Sequence, residues 1–236
     1  MAKTKKKNQP QKGSEILESP DALAEKLTRT EKFLEQNRKM VLGIGGAIVV
    51  VLATLFGYRY YVSNQNREAQ GEMFQAVYYF EADSLQMALE GDGNNYGLLE
   101  IIDEYPRTEA ANLAHYYAGI SLLKLSRYEE AIDHLRDFSA SDYVVQARAY
   151  ALIGDAHMEL ENYNEAASFY EKAANYKSNE YFTPIYLMDA ALAYENAGDL
   201  DQALESYEEI VNNYSTSSVF QDAQKQMSRL EGLLSS

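Results

Sequence analysis

The most apolar stretch of the chain is a run of nineteen residues without a charged side chain, MVLGIGGAIVVVLATLFGY, from Met40 to Tyr58. As a helix it would span about 28 Å, close to the hydrocarbon thickness of a bilayer. A buried core helix is seldom apolar on all sides over this length. A signal peptide does not fit either, because thirty-nine residues precede the run and no small-x-small cleavage site follows it. The pattern predicts one transmembrane helix over residues 40–62.

Beyond the membrane segment the apolar positions predict helices, because no stretch alternates between apolar and polar residues as a strand would. Glu72–Ala82 and Tyr96–Pro106 indicate a degenerate helix pair within residues 63–107. The sequence SVFQDAQKQMSRLEGLL, starting at Ser218, indicates a terminal helix within residues 215–236. Such a helix covers the end of a helical array.

Residues 108–214 contain three copies of one pattern. A small residue is followed by an alanine twelve positions later in each copy: Gly119 and Ala131, Gly154 and Ala166, Ala191 and Ala203. The copies are 35 and then 37 residues apart. Constant internal spacing with a variable outer turn is typical of a helix-turn-helix repeat, and small residues are needed where its two helices cross at about 8–10 Å. The pattern predicts stacked helix pairs that bury their faces against each other.

These positions resemble the small and aromatic positions of the tetratricopeptide repeat (TPR). The best copy is NYNEAASFYEKAA, which starts at Asn162, whereas His115, Tyr150 and Leu187 replace the tryptophan of the consensus. Thr108 is expected to cap the first repeat helix, and Gly198 to end the helix that Thr183 and Pro184 begin. The fold class we expect is all-α, with a single N-terminal transmembrane helix followed by a TPR-type α-solenoid.

The charges on the two sides of the membrane segment differ in sign. The whole chain has a net charge of -15, yet residues 1–39 carry ten Lys and Arg against six Asp and Glu. Because cytoplasmic flanks are enriched in Lys and Arg, we expect the N-terminus in the cytoplasm and residues 63–236 outside. The composition predicts a basic, disordered tail over residues 1–18 and a juxtamembrane amphipathic helix over residues 19–39. The lysines of the tail either attract anionic lipid or contact RNA or a ribosome.

The sequence predicts neither an enzyme nor a cofactor or metal site. It has no cysteine, and its three histidines lack the neighbours of a catalytic triad or a His-Glu-x-x-His motif. The loop Asp92–Gly97, with the insert Gly91–Asn95, is similar to the start of a calcium-binding EF-hand loop. However, Tyr96 stands at a ligand position, so we interpret the loop as a turn or a partner-binding insert. The acidic character of residues 40–236 argues against nucleic acid.

Two binding surfaces follow from the predicted architecture. The TPR resemblance implies a concave surface formed by the first helix of each unit, and its apolar and Met side chains suit an unfolded client polypeptide. The residues expected there are Leu113, Tyr116, Ile120, Arg148, Asp155, Met158, Met188 and Leu192. A stripe of mostly small residues along the membrane helix would let another helix approach. It consists of Gly43, Ala47, Val50, Thr54 and Gly57.

The whole layout resembles the ancillary SecYEG translocon subunit (YfgM-like) family of Gram-negative bacteria, and the segment ANLAHYYAGISLLKLSRYEEAI is similar to TPR proteins of the Bacteroidota type. The first resemblance implies an inner-membrane protein with its C-terminal domain in the periplasm. It also implies two partners, the SecYEG translocon and a membrane-anchored periplasmic prolyl-isomerase-like chaperone. The alternatives are a TPR scaffold of another envelope machine, for division, secretion or motility, and a receptor facing the cytosol.

Overall fold

The structure is a computed structural model that describes residues 20–235. The predicted basic tail over residues 1–18 and the N-terminal edge of the predicted juxtamembrane helix lie outside the described residues. Within residues 20–235 the regular elements are all helices. They are α1 (Pro20–Gln36), α2 (Arg38–Glu81), α3 (Leu85–Glu90), α4 (Leu98–Glu104), α5 (Glu109–Lys124), α6 (Tyr128–Asp137), α7 (Tyr143–Glu159), α8 (Tyr163–Asn175), α9 (Thr183–Ala197), α10 (Leu200–Asn213) and α11 (Phe220–Leu234).

The chain divides into two compact units, Met1–Tyr60 and Tyr61–Ser236. In the first unit, α1 begins at Pro20, a residue that suits the first position of a helix because its fixed φ is already helical. Its side chains Leu27 and Leu34 are exposed. In the described part of the chain, α2 alone is long and apolar enough to cross a membrane, and its most apolar stretch has no buried residue. The protein therefore has one candidate single-pass membrane helix.

The boundary between the membrane helix and the first helix of the degenerate pair differs from our prediction. The helices expected over residues 40–62 and Glu72–Ala82 are one continuous helix, α2. The sequence between them contains no proline and only one glycine, Gly71, and one helical glycine costs only about 1 kcal/mol. In addition, the short helix α3 precedes α4 and was not predicted. It buries Leu85, Ala88 and Leu89, which follow helical spacing.

The second unit contains three helix pairs, α5 with α6, α7 with α8, and α9 with α10, and each helix packs on the next along the chain. The predicted terminal helix is α11, which packs on α10. Before the repeats, the end of α2 shares a core with α3, α4 and α5 through residues such as Met73, Leu89, Ile101 and Ala114. The repeats are therefore continuous with the helices that precede them.

Alanine and glycine dominate the helix crossings, as the spacing predicted. Ala131, Ala166 and Ala203 are fully buried. Gly119 lies so close to α6 that an added Cβ would be 2.5 Å from Leu135 Cγ. Because side chains larger than a methyl group would separate the helices, the small residues set the distance between the two helices of a unit.

The predicted helix ends are confirmed. Thr108 precedes α5, and its Oγ1 accepts a hydrogen bond of 3.1 Å from Ala111 N. Pro184 lies at the start of α9. Gly198 follows α9 with a φ of 81°, a left-handed conformation that glycine adopts without a steric penalty.

Candidate protein-interaction surface

The eight residues predicted for the concave surface all lie on α5, α7 and α9, the first helices of the three pairs. None of them is buried. Leu113 and Leu192 leave 39% and 52% of their surface exposed, although both are leucines. Ile185, one turn into α9, is exposed as well. Helices α5 and α9 therefore present leucine and isoleucine side chains that stay exposed among the described residues.

A charged group lies in the middle of this surface. Arg148 Nη2 is 3.6 Å from Asp155 Oδ2, and both residues lie on the same face of α7. Asp155 Oδ1 accepts a hydrogen bond of 2.8 Å from the Tyr170 hydroxyl of α8. This bond fixes the Asp155 carboxylate between the two helices of its unit, where it meets Arg148 on the exposed side.

A second carboxyl, Asp189 of α9, belongs to the same group, and the sequence analysis did not predict it. The pKa of Asp189 is raised to about 6, mainly by burial and in addition by the negative charge of Asp155, while Arg148 opposes both effects. Burial also raises the pKa of Asp155. Two partly buried carboxyls thus share one arginine. The only sequence signal that could have placed Asp189 on this surface is its position next to Met188, a predicted surface residue. The surface therefore includes more of α9 than the predicted residues Met188 and Leu192.

An apolar groove extends this surface toward the end of α2. It has a volume of about 450 Å³ and lies between the last turns of α2 and the first half of α5. Its lining consists of Gln70, Met73, Phe74, Val77, Glu109, Ala110, Leu113 and Tyr117. Phe74 is 74% exposed, an unusual state for a phenylalanine next to other apolar side chains. The sequence analysis predicted Leu113 alone among these residues, because it did not treat α2 as a lining helix.

The loop with similarity to an EF-hand is a turn in which the Asp92 carboxylate is already hydrogen-bonded to other residues of the protein. Asp92 Oδ1 accepts hydrogen bonds from the backbone of Asn94 and Asn95, at 2.8 and 2.7 Å. Its Oδ2 accepts a third bond, of 2.8 Å, from the Tyr79 hydroxyl. These bonds lower the pKa of Asp92 well below its usual value. The carboxylate stabilises its own loop, as an aspartate at the start of an Asx turn does.

The histidines lie inside the helix pairs. His115 of α5 and His134 of α6 contact each other, whereas His157 of α7 is buried beside Phe169, with parallel rings 5.6 Å apart. Across residues 20–235, no group of three or more His, Cys, Asp or Glu side chains is arranged to hold a metal ion.

The predicted small-residue stripe lies in the first unit, on α2. Its members are exposed, and a Cβ on Gly43 or Gly57 would meet no atom within 4 Å. Thr54 Oγ1 donates a hydrogen bond of 2.9 Å to Val50 O, which satisfies the hydroxyl inside its own helix. The stripe therefore needs no polar partner, and its role as a helix-contact face stays a prediction.

Two comparisons bear on the repeats. Two tetratricopeptide-repeat family models match the chain, over residues 116–180 and 186–217. No curated protein matches it. The matched segments include all of α6, α7, α8 and α10 and most of α5 and α9. TPR domains are protein-protein interaction scaffolds and generally lack catalytic activity, so the second unit is a TPR-type α-solenoid with a protein-binding role.

Proposed function

We propose that this protein is a non-enzymatic, membrane-anchored adaptor at the periplasmic face of a bacterial inner membrane. Its partners are the SecYEG translocon and a membrane-anchored periplasmic prolyl-isomerase-like chaperone. Its solenoid receives unfolded polypeptides as they emerge and passes them to periplasmic chaperones.

The observation that carries this proposal is the uncovered apolar surface of α5, α7 and α9. Leu113, Ile185 and Leu192 are exposed there, whereas Met158 and Met188 are partly buried and pack on the core of the repeats. Contiguous exposed apolar surface in a soluble domain is typical of a binding site. Flexible side chains such as Met158 and Met188 can adapt to varied sequences, which suits a client that is not one fixed ligand.

Charge supports a polypeptide over a nucleic acid as the client. Residues 40–236 carry thirty Asp and Glu against eleven Lys and Arg, and nucleic-acid-binding surfaces need the opposite balance. The negative field of this domain would attract polypeptide segments with Lys or Arg and repel acidic segments. The Asp155 and Asp189 carboxyls lie on the same surface as the apolar side chains.

The membrane anchor supports the proposed location. The N-terminal flank of the apolar run carries Arg29, Lys32, Arg38 and Lys39, whereas the other flank carries only Arg59 and Arg67 nearby. The excess of basic residues favours a cytoplasmic N-terminus. A phosphatase fused after Ser236 would then be active, since that enzyme folds in the oxidising periplasm.

The client role can be tested with photo-crosslinking side chains placed in the full-length protein in cells. The test positions are Leu113, Met158 and Leu192 on the first helices. The matched controls are exposed positions on the second helices, Asp133, Ser168 and Glu208. We expect translocating chains, translocon subunits and the chaperone to crosslink from the test positions and not from the controls.

Three results would contradict the proposal. Equal crosslinking from both sets would show that α5, α7 and α9 are not the binding face. Crosslinks from the test positions to a division, secretion or motility machine, with no translocating chain among them, would favour the scaffold alternative. An inactive phosphatase fusion would favour the receptor that faces the cytosol.

A further inference from the structure

His115 and His134 lie face to face across the first helix pair of the solenoid. His115 Nδ1 is 3.1 Å from His134 Nδ1, and the ring centroids are 5.1 Å apart. His115 belongs to α5 and His134 to α6, and both side chains are half-buried. The two imidazoles therefore share one site that solvent still reaches.

The histidine pair occupies equivalent positions of the repeat that the other two units fill differently. His115 lies four residues before Gly119, and His134 lies three residues after Ala131. The same positions hold Tyr150 and Phe169 in the second unit, and Leu187 and Ser206 in the third. The repeat fold thus accepts an aromatic pair or a Leu–Ser pair at these positions, and packing alone does not require histidine.

We propose that His115 and His134 bind a divalent transition-metal ion of the zinc, copper and nickel class. Imidazole is a preferred ligand of these ions. Two imidazole nitrogens bound to one tetrahedral ion, each at about 2.05 Å, lie about 3.3 Å apart. The observed separation of 3.1 Å is already close to that value. The ion would lie to one side of the line between the two nitrogens, because 3.1 Å is shorter than two metal–nitrogen bonds of about 2.05 Å end to end. Each ring would rotate about its side-chain bonds to direct its Nδ1 lone pair at the ion.

The ion replaces the hydrogen that the two rings share. In the free pair, one ring donates its Nδ1 hydrogen and the other ring accepts it. When both rings carry their hydrogen on Nε2, both Nδ1 lone pairs are free for the ion, and no net proton leaves the pair. Solvent supplies the remaining ligands, since the site has two protein ligands and structural zinc sites use four.

The charges around the pair favour a cation. Asp137 contributes a negative field at both histidines, while Glu130 and Asp133 act on His134. Arg127 opposes them at His134. Burial lowers the pKa of each histidine, which reduces the competition of protons with a metal ion. A bound ion would join α5 to α6 and stabilise the first unit, independently of any client on the solenoid surface.

The test uses the full-length protein in detergent micelles, with Zn²⁺ as the probe. Nuclear magnetic resonance of the imidazole nitrogens follows all three histidines in the wild type, and His157, buried away from the pair, serves as the internal reference. We expect saturable binding of one Zn²⁺ per chain that shifts His115 and His134 and leaves His157 unchanged. A chelator should reverse the shifts.

Two substitutions test whether each histidine of the pair is needed for Zn²⁺ binding. His115→Tyr and His134→Phe place at each position the residue that the second unit already carries there, so the fold can accommodate them. Each should weaken Zn²⁺ binding by at least about tenfold, because even the loss of an outer-shell partner of a metal ligand has that effect. Unchanged binding in both variants would overturn the proposal. So would a wild type in which Zn²⁺ shifts no histidine or shifts His157 equally.

Discussion

The ring of Tyr170 lies against Gly154 at the crossing of α7 and α8, where a Cβ on the glycine would be 2.8 Å from Tyr170 Cε1. The ring cannot move away freely, because its hydroxyl donates a hydrogen bond to Asp155, the residue after Gly154. One contact thus combines the close approach of two helices with a charged group of the proposed binding surface.

In the third unit, an alanine lies at the same helix crossing. Ala191 occupies the position of Gly154, and Tyr207 occupies that of Tyr170. The Tyr207 hydroxyl donates its hydrogen bond, of 2.7 Å, to Glu195, four residues after the alanine rather than one residue after it. The residue after Ala191 is Leu192, whose side chain has no hydrogen-bond acceptor, so the Tyr207 hydroxyl donates to Glu195 instead.

The first prediction is that Gly154→Ala destabilises the solenoid. The new methyl group would overlap the ring of Tyr170, and overpacking of a core typically costs about 1–3 kcal/mol. Urea unfolding of the detergent-solubilised protein measures the loss. The control is Gly71→Ala on α2, where a Cβ meets no atom within 4 Å and helix propensity alone favours alanine by about 1 kcal/mol. Equal stability of the two variants would contradict the prediction.

The second prediction concerns His157, whose two ring nitrogens are buried without a hydrogen-bond partner among the described residues. Leu122 occupies the same repeat position in the first unit, so we propose His157→Leu. An unpaired buried polar group costs about 1–3 kcal/mol, and the variant should therefore be about 1 kcal/mol more stable at pH 7.

The advantage of His157→Leu should grow as the pH falls. Burial lowers the pKa of His157, and Arg136 lowers it further while Glu165 opposes them. The unfolded histidine binds a proton below about pH 6.5, whereas the folded one resists it, so acid favours unfolding of the wild type. Urea unfolding at pH 7.5 and pH 5.5 tests this. If the free energies of unfolding of wild type and variant differed by the same amount at both pH values, protonation of His157 would not contribute to acid unfolding.

The third prediction has the opposite pH dependence. Because the pKa of Asp189 is raised to about 6, the folded state holds its proton more tightly than the unfolded state, whose carboxyl has a pKa of about 3.9. Stability is therefore lost as the pH rises from about 4 to about 6. Asp189→Asn removes that cost, so the variant should be more stable than wild type by roughly 1 kcal/mol at pH 8. The gain should shrink as the pH falls below about 6 and disappear only below about pH 4, where the carboxyl is protonated in the unfolded state as well. Asp103→Asn, at an exposed position of α4, is the control for the loss of a carboxyl group from the protein surface.

The sequence predicted the repeat pairs because their signals are local. Gly154, Ala166 and Tyr170 lie within one unit, and small and aromatic residues at fixed spacing are sufficient to define one helix crossing. The helix ends at Thr108 and Gly198 were predictable for the same reason.

What the sequence did not reveal depends on contacts between units. Asp189 is partly buried and feels the charge of Asp155, a residue of the preceding unit, and no pattern within α9 distinguishes it from a solvent-exposed carboxyl. Phe74 joins the interaction surface because α2 continues past the membrane segment, and the absence of a helix-breaking residue is a weak signal. The position of His115 opposite His134 could have been found by aligning the three units, since both positions are fixed relative to Gly119 and Ala131.

The last prediction tests whether α2 spans the membrane, by introducing charges whose cost exceeds the free energy of its insertion. Ten of the nineteen residues from Met40 to Tyr58 are Val, Ile, Leu or Phe, which favours insertion by roughly 3–6 kcal/mol. One arginine at the centre costs only about 2.5–3.5 kcal/mol, so a single substitution would leave some of the protein inserted. The double change Ala47→Arg with Val51→Arg exceeds the insertion energy and should release the protein from membranes washed with alkaline carbonate. Ala47→Leu with Val51→Leu, at the same positions, should leave it embedded, and release of both variants alike would contradict a membrane-spanning α2.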